Sequence, residues 1–323
     1  MAALFGCIAA THAQSTQVAT LTHGSDNTMF YGAYALRDAL EQAESGDIIN
    51  LSSGTFQAAE IYKAITLRGA GIDSALPTYL VNEFNVILPA EDTNRFTMEG
   101  IRCNNKMSLR GTMIDPCFTK CKFDAVTIGW ESGDNINNAM FGNCKIINGY
   151  KIYKGTIQFV NCYLTDCSYR QDDSPVTTYL NCIMRQSYPE ELKNSELFNC
   201  VIYTPTINSG DYFVTTSSVT NCVCINFANP YQYLPKSSGC STSTFAEVFK
   251  NFTGEYSDDQ TFELTDNAKT TLLGTDGSQV GIYGGVLPYT STPSYPLFTK
   301  MNVANKTTTD GKLSVDIEVS AGK

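Results

Sequence analysis

Four short intervals in the middle of the chain hold the residue types that act on sugars. They are Gly129-Trp130-Glu131-Ser132-Gly133-Asp134 with the only tryptophan, Tyr150-Lys151-Ile152-Tyr153-Lys154, Ser168-Tyr169-Arg170-Gln171-Asp172-Asp173, and Ser187-Tyr188-Pro189-Glu190-Glu191. Aromatic rings stack on the apolar faces of pyranoses, and carboxylates accept hydrogen bonds from hydroxyls. Trp130, Glu131, Asp134, Tyr153, Tyr169, Arg170 and Tyr188 are therefore the candidate contacts to an extended polysaccharide.

For catalysis the candidates are Arg170, Asp172, Asp173 and Lys151. A basic side chain such as Arg170, Lys151 or Arg185 is the type that removes a proton alpha to a carboxyl group. Asp172 and Asp173, with Glu131, are hard oxygen ligands of the kind that hold the Ca2+ such an elimination uses. An acid–base pair for hydrolysis instead needs carboxyl groups roughly 6.5 to 9.5 Å apart. Adjacent residues of a strand point to opposite faces, so Asp172-Asp173 would need Asp134 or Asp211 as partner. Each group also has a plainer use: a loop tyrosine covers the coil beneath it, Trp130 plugs a local gap, and Asp172-Asp173 is a solvated turn.

What would position these intervals is a recurring hexad: aromatic or aliphatic, any, Asn, Cys, any, aliphatic. Its copies are Phe141–Ile146, Phe159–Leu164, Tyr179–Met184, Leu197–Ile202 and Val219–Cys224, with Phe118–Phe123 carrying Lys in the Asn slot and Phe96–Ile101 keeping the apolar positions. The fourth positions (99, 121, 144, 162, 182, 200, 222) are 22, 23, 18, 20, 18 and 22 residues apart, a structural repeat with elastic loops. Asn tolerates a left-handed bend, and stacked amides would form an internal ladder satisfying buried polar groups. Same-slot cysteines would stack about 4.8 Å apart as small buried hydrophobes. Twelve cysteines in an exported chain would otherwise suggest bridges. The shared slot, and the odd number left without Cys7, favour a ladder of free thiols over disulfides, and zinc ligation has no coherent spacing.

Composition narrows the partners. The chain has 323 residues, 22 Lys+Arg against 32 Asp+Glu and a net charge of −10, with no basic run, which argues against nucleic acid and anionic membrane. No late apolar run approaches the roughly 20 residues of a membrane span. Ala2–Ala10 followed by Thr11-His12-Ala13 is similar to the core and cleavage site of a signal peptide without its basic start, so residues 1–13 read as a truncated leader and the protein as exported. A monomer is expected.

Ahead of the repeats, Gln17–His23 reads as a strand and Met29–Ala43 as a helix capped at Asn27 or Thr28. Short strand-and-turn units follow: Ile48–Leu51, Gly54-Thr55-Phe56, Ile61-Tyr62-Lys63 and Ile65–Gly69. This opening, with Gly46-Asp47, Gly54-Thr55-Phe56 and Ile65-Thr66-Leu67-Arg68-Gly69, resembles the entry of the pectin-lyase-like right-handed parallel β-helix superfamily. Gly274–Gly285 resembles the closing signature of secreted bacterial β-helix proteins of unknown function.

The resemblance implies an all-β fold, a single-stranded right-handed parallel β-helix over 14–287 with an N-terminal capping helix. A C-terminal appendage over 288–323 would hold an edge strand near Lys312–Val319. Phe262-Glu263-Leu264 and Gly281–Gly285 read as the closing turns, and Thr244–Phe249 as a last coil or short helix. Within that superfamily a hydrolase would use clustered aspartates beside Gly-His-Gly, yet the only histidines are His12 and His23. An esterase would show paired Gln and Asp in the central coils, and only its entry motif has a counterpart, Gly54-Thr55-Phe56-Gln57. Binding of a polysaccharide or a surface partner without catalysis is the leading expectation. A lyase acting on acidic glycans is the alternative.

Overall fold

The hexad winds the chain because its third residue bends left-handed in coil after coil. Lys120, Asn143, Asn161, Asn181, Asn199 and Asn221 have φ of 52°, 54°, 52°, 52°, 56° and 50°. Gly100 at 69° takes the same place, because Met98 pairs with Phe118 and the upstream copy is Met98–Cys103, not Phe96–Ile101. Asn visits this region at low cost and other β-carbon residues do not. The bend turns the backbone from one strand to the next, and its repetition stacks the coils. A computed structural model of the chain describes residues 17–72, 77–170, 176–205, 213, 216–231, 236–303, 310–312 and 315–320. They form a parallel β-solenoid of about nine turns with few helices.

Three strand stacks make its faces. The first runs in chain order from Ile48–Leu51 to Ser237–Ser238, and the second from Gly54–Gln57 to Ser241–Ser243. The third is shorter: Phe84–Leu88, the middle of Ile101–Ile114, the end of Lys122–Ile128, Tyr150–Ile152 and Cys167–Arg170. Strand Ile101–Ile114 pairs with Thr78–Val81 at its start, Phe84–Leu88 at its middle and Asn135–Asn137 at its end, so it wraps successive sides of one coil.

Position one of the hexad fills the core with stacked rings. Phe118 and Phe141 lie 4.7 Å apart between centroids, Phe141 and Phe159 5.1 Å, and Phe159 and Tyr179 5.3 Å. Position four lines the same interior. Cys121, Cys144, Cys162, Cys182, Cys200 and Cys222 are fully buried, and every described cysteine is free. The backbone N–H of Cys144 donates to Cys162 Sγ at 3.4 Å, and that of Cys200 to Cys222 Sγ at 3.3 Å, so each thiol is an acceptor between coils. Burial pushes the Cys103 and Cys224 thiols up, which keeps them protonated.

The Asn amides correct the expected internal ladder. Those of Asn161, Asn199 and Asn221 bond outward to a strap formed by residues 250–296 that returns along the second face, while Asn143 Oδ1 and Asn181 Nδ2 are buried without a partner. Asn161 Nδ2 donates to the carbonyls of Ile282 and Gly284, both at 2.8 Å. Asn199 Oδ1 accepts from Thr275 N at 2.9 Å, and Asn221 Nδ2 donates to Leu273 O at 3.4 Å. A left-handed residue projects its side chain off the corner, so the amides meet what lies outside. Gly274 and Gly284 are required there: a β-carbon on either would sit 2.8 Å from Asn199 Cγ or 2.6 Å from Asn181 Nδ2.

Phe262–Leu264 and Gly281–Gly285 therefore belong to this return strap, not to closing turns. Beneath it, position five of the hexad forms an outward column on the second face, Arg102, Lys122, Lys145, Tyr163, Ile183, Val201 and Val223. Its apolar half joins Phe252, Phe262, Leu264, Val280 and Ile282 in a second buried core. Its cationic half receives Asp258, which is 3.0 Å from Arg102 Nη1 and also bonded to Lys122. The strap ends against the early coils, where Ser294 N donates to Glu99 Oε1 at 2.7 Å and Tyr295 bonds Gly69 O.

The N-terminal cap also differs from expectation. Met29–Tyr31 are strand, because β1 (Val18–His23) turns at Gly24 (φ 58°) and returns as β2 (Asp26–Tyr31) in antiparallel register. The helix α1 is shorter, Ala35–Gln42, and buries Ala35, Leu36 and Ala39 over the open end of the coil stack. Ile61 makes only an isolated bridge to Val86. Thr244–Phe249 resolves as α2 (Phe245–Val248), held by a Thr244/Glu247 capping box, and α3 (Asp266–Thr271) follows within the strap. At the C-terminus Leu297–Val303 and Val315–Ser320 pair as an antiparallel hairpin.

Two outcomes follow from this packing. Under native conditions a thiol reagent labels the half-exposed Cys117 and Cys240 first, and the six stacked cysteines react only on unfolding, read by mass spectrometry of labelled peptides. Burial raises the Asp258 carboxyl, but bonds from Lys122 and Tyr256 outweigh it and hold the group at about 2. The unfolded value is about 3.9, so the carboxylate's hold on the strap is full above about pH 4 and is lost as pH falls through about 2. Pepsin cleavage around Phe252 and Phe262 should rise across that window in the wild type, and should already be high at pH 4 in Asp258→Asn.

Candidate functional site

The third face presents its outward residues in two columns. Backbone register sets Asn85 beside Ser108, Ser108 beside Thr127, Thr127 beside Lys151, and Lys151 beside Tyr169. Two residues further along their strands stand Arg110 and Tyr153. Because coil spacing is about 4.8 Å, these positions stand at even intervals along the solenoid axis.

Asn85, Ser108, Arg110, Thr127, Lys151 and Tyr153 line a groove of ≈ 550 Å³ that also takes in Glu83, Lys106, Asn148, Tyr150 and Ser168, with Trp130 on its border. Trp130 is 53% exposed. Its ring lies 5.4 Å from the Arg110 guanidinium. Arg110 is bonded through Nη2 to Glu131, while its Nε is buried without a hydrogen-bond partner. Lys106 is bonded to Glu83. Lys151 is exposed and makes no ion pair or hydrogen bond among the described residues.

The loop that displays Trp130 is held by a buried carboxylate. Asp134 accepts from Gly111 N at 2.7 Å and from Glu131 N at 2.9 Å. Lys154 Nζ donates to Ser132 O at 2.6 Å and to Glu131 O at 3.2 Å, closing the other side. Glu131 and Asp134 thus position the tryptophan and its arginine through the loop.

Of the residues singled out from sequence, Trp130, Lys151 and Tyr153 come together in the groove, and Glu131 and Asp134 build its border. Tyr169 and Arg170 occupy the next rung by backbone pairing to Lys151 and Ile152, and their side chains lie outside the described residues. Asp172, Asp173 and Asp211 also lie outside the described residues. Tyr188 is 64% exposed ahead of the 3-10 turn Pro189–Glu191 and does not line the groove. Arg185 is turned to the second face and bonded to Asp166.

Sequence reasoning missed Asn85, Lys106, Ser108, Arg110 and Thr127. The signal was present in the alternation Met107-Ser108-Leu109-Arg110, which places Ser108 and Arg110 on one outward face. Among the described residues no group of three His, Cys, Asp or Glu comes together to hold a metal ion.

No protein-family model and no curated protein matches the chain. The structure shows a parallel β-solenoid, and no family match ties it to the pectin-lyase-like superfamily. No helix among the described residues is long and apolar enough to cross a membrane.

Replacing Asp134 by Ala leaves two loop N–H donors unsatisfied, a loss of about 1–3 kcal/mol. The chain should still fold. Fluorescence from the single tryptophan should shift to the red and lose anisotropy as the loop loosens, whereas Asp124→Ala, on the same strand stack, should leave it unchanged.

Proposed function

We propose that the protein binds an extended polysaccharide along the groove of the third face, and that the sugar chain bears acidic groups. The observation that carries this reading is the pairing of an exposed Trp130 with an unmatched Lys151 in one open groove. Rings of Trp130 and Tyr153 offer apolar platforms to pyranose faces. The half-buried Asn85 and Thr127 offer hydrogen bonds from their coils.

Charge supports an acidic ligand. The lining holds Lys106, Arg110 and Lys151 against Glu83, three cations to one anion, on a chain whose net charge is −10. A local reversal of sign concentrates an anionic ligand where the remaining surface repels it. The exposed Lys151 ammonium is the donor left for its carboxylates. The apolar run Ala2–Ala10 supports export, which would place the groove among extracellular glycans.

Titrating the protein with polyuronates while following the single tryptophan tests the proposal. Emission should change on binding, and Trp130→Ala should weaken affinity by about tenfold in calorimetry, ~1.4 kcal/mol. Lys151→Gln should weaken binding and reduce its salt dependence, without changing affinity for carboxyl-reduced chains. If acidic and neutral glycans leave both emission and calorimetry unchanged, the groove is not a sugar site.

A further inference from the structure

The two ends of the solenoid are finished differently. At the C-terminal end the last rungs are the short strands Ser237–Ser238 and Ser241–Ser243, and Glu247 of α2 ties back to Ser243 and Thr244. At the N-terminal end β2 forms the edge, six residues long, paired with β1 on one side only. Natural edges are blunted by lysines, prolines, bulges or shortness. β2 reads Asp26-Asn27-Thr28-Met29-Phe30-Tyr31, has none of these, and pairs with β1 in unbroken register, while α1 packs against it and leaves Met29 and Tyr31 exposed. Thr28 and Phe30 lie on the side of the buried Leu21 and Ala19. Asn27, Met29 and Tyr31 lie on the outer side, with Met29 57% and Tyr31 53% exposed and Tyr34 beside them at 54%.

We propose that β2 is the interface between two copies of this chain, joined edge to edge about a twofold axis through Met29, in place of the monomer expected from sequence. An antiparallel edge is complementary to itself, and a twofold contact uses one patch twice. An axis perpendicular to the sheet keeps each face on its own side. Residues set opposite one another must then be both odd-numbered or both even-numbered, since side chains alternate along a strand.

Centring on Met29 sets Asn27 opposite Tyr31 of the second copy, Thr28 opposite Phe30 and Met29 opposite its twin. Asp26, the only charge on the strand, then faces Gly32. Centring on Thr28 would set Asp26 against Phe30 and lay a carboxylate on a ring. The opposite end of the solenoid offers strands of two and three residues, too short to complete this edge. The other occupant to be tested is the chain before Gln17, which enters beside β2 where Gly32 N donates to Gln17 O at 2.9 Å.

Sedimentation of the full chain across a concentration series tests the inference. The wild type should pass from monomer to dimer, and Met29→Lys should stay monomeric with its circular dichroism and melting temperature retained. Directly opposed residues of an antiparallel pair lie about 4.5–5.5 Å apart between α-carbons, inside the reach of a disulfide. Met29→Cys should therefore cross-link on mild oxidation many-fold more than Val286→Cys or the wild type. A wild type monomeric at every concentration overturns the inference, as does a dimer that survives Met29→Lys and gives no cross-link. A dimer formed only when the chain is trimmed to Gln17 also overturns it, and assigns the edge to the residues before Gln17.

Discussion

The left-handed bend at Asn143, Asn161, Asn181, Asn199 and Asn221 is the constraint on which the remaining structure depends. It fixes where each strand of the first face ends and that of the second begins. Once every coil turns at the same place, Phe118, Phe141, Phe159 and Tyr179 must stack and the cysteines must form a column. Ile101 fills this corner one coil before Cys121, and in the later coils a thiol there accepts a backbone hydrogen bond from the neighbouring coil. Serine would occupy the same volume but gain less from a dry interior.

The same bend decides what lies outside. By throwing the amides outward it gives the strap a row of fixed hydrogen-bonding points. The strap in turn buries Tyr163, Ile183, Val201 and Val223, which a bare solenoid would expose. The strap thus covers the apolar half of the second face. Among the described residues the third face carries no such cover, and its coils present polar and aromatic residues at the solvent boundary. Fold and groove are thus two results of one asymmetry, a return chain laid along one side.

The solenoid was legible because its signals are local: a bend residue, a ring and a thiol at constant spacing. The N-terminal helix was overextended because Met29, Phe30 and Tyr31 suit either period, and the turn at Gly24 decided for a hairpin. The strap was not legible, since Phe252 and Phe262 sit in segments without periodicity and meet Tyr203 and Tyr163, partners far away in the chain. Even so, the change at hexad position five from Lys122 and Lys145 to Ile183, Val201 and Val223 marked an outer surface in need of cover. In the groove, Trp130 and Lys151 were found by residue type. Ser108 and Arg110 were overlooked because they lie within a continuous strand and not in a loop.

A solenoid built of near-identical coils has no intrinsic length, since each coil contacts only its neighbours and another could always be added. Here the strap's stretch from Leu273 to Tyr295 is anchored at both ends, to Asn221 through Leu273 and to Gly69 through Tyr295. Its contour therefore acts as a ruler. Duplicating one coil would move those anchors apart by about 4.8 Å and leave a gap in the strap, so this chain can change size only if two distant segments change together.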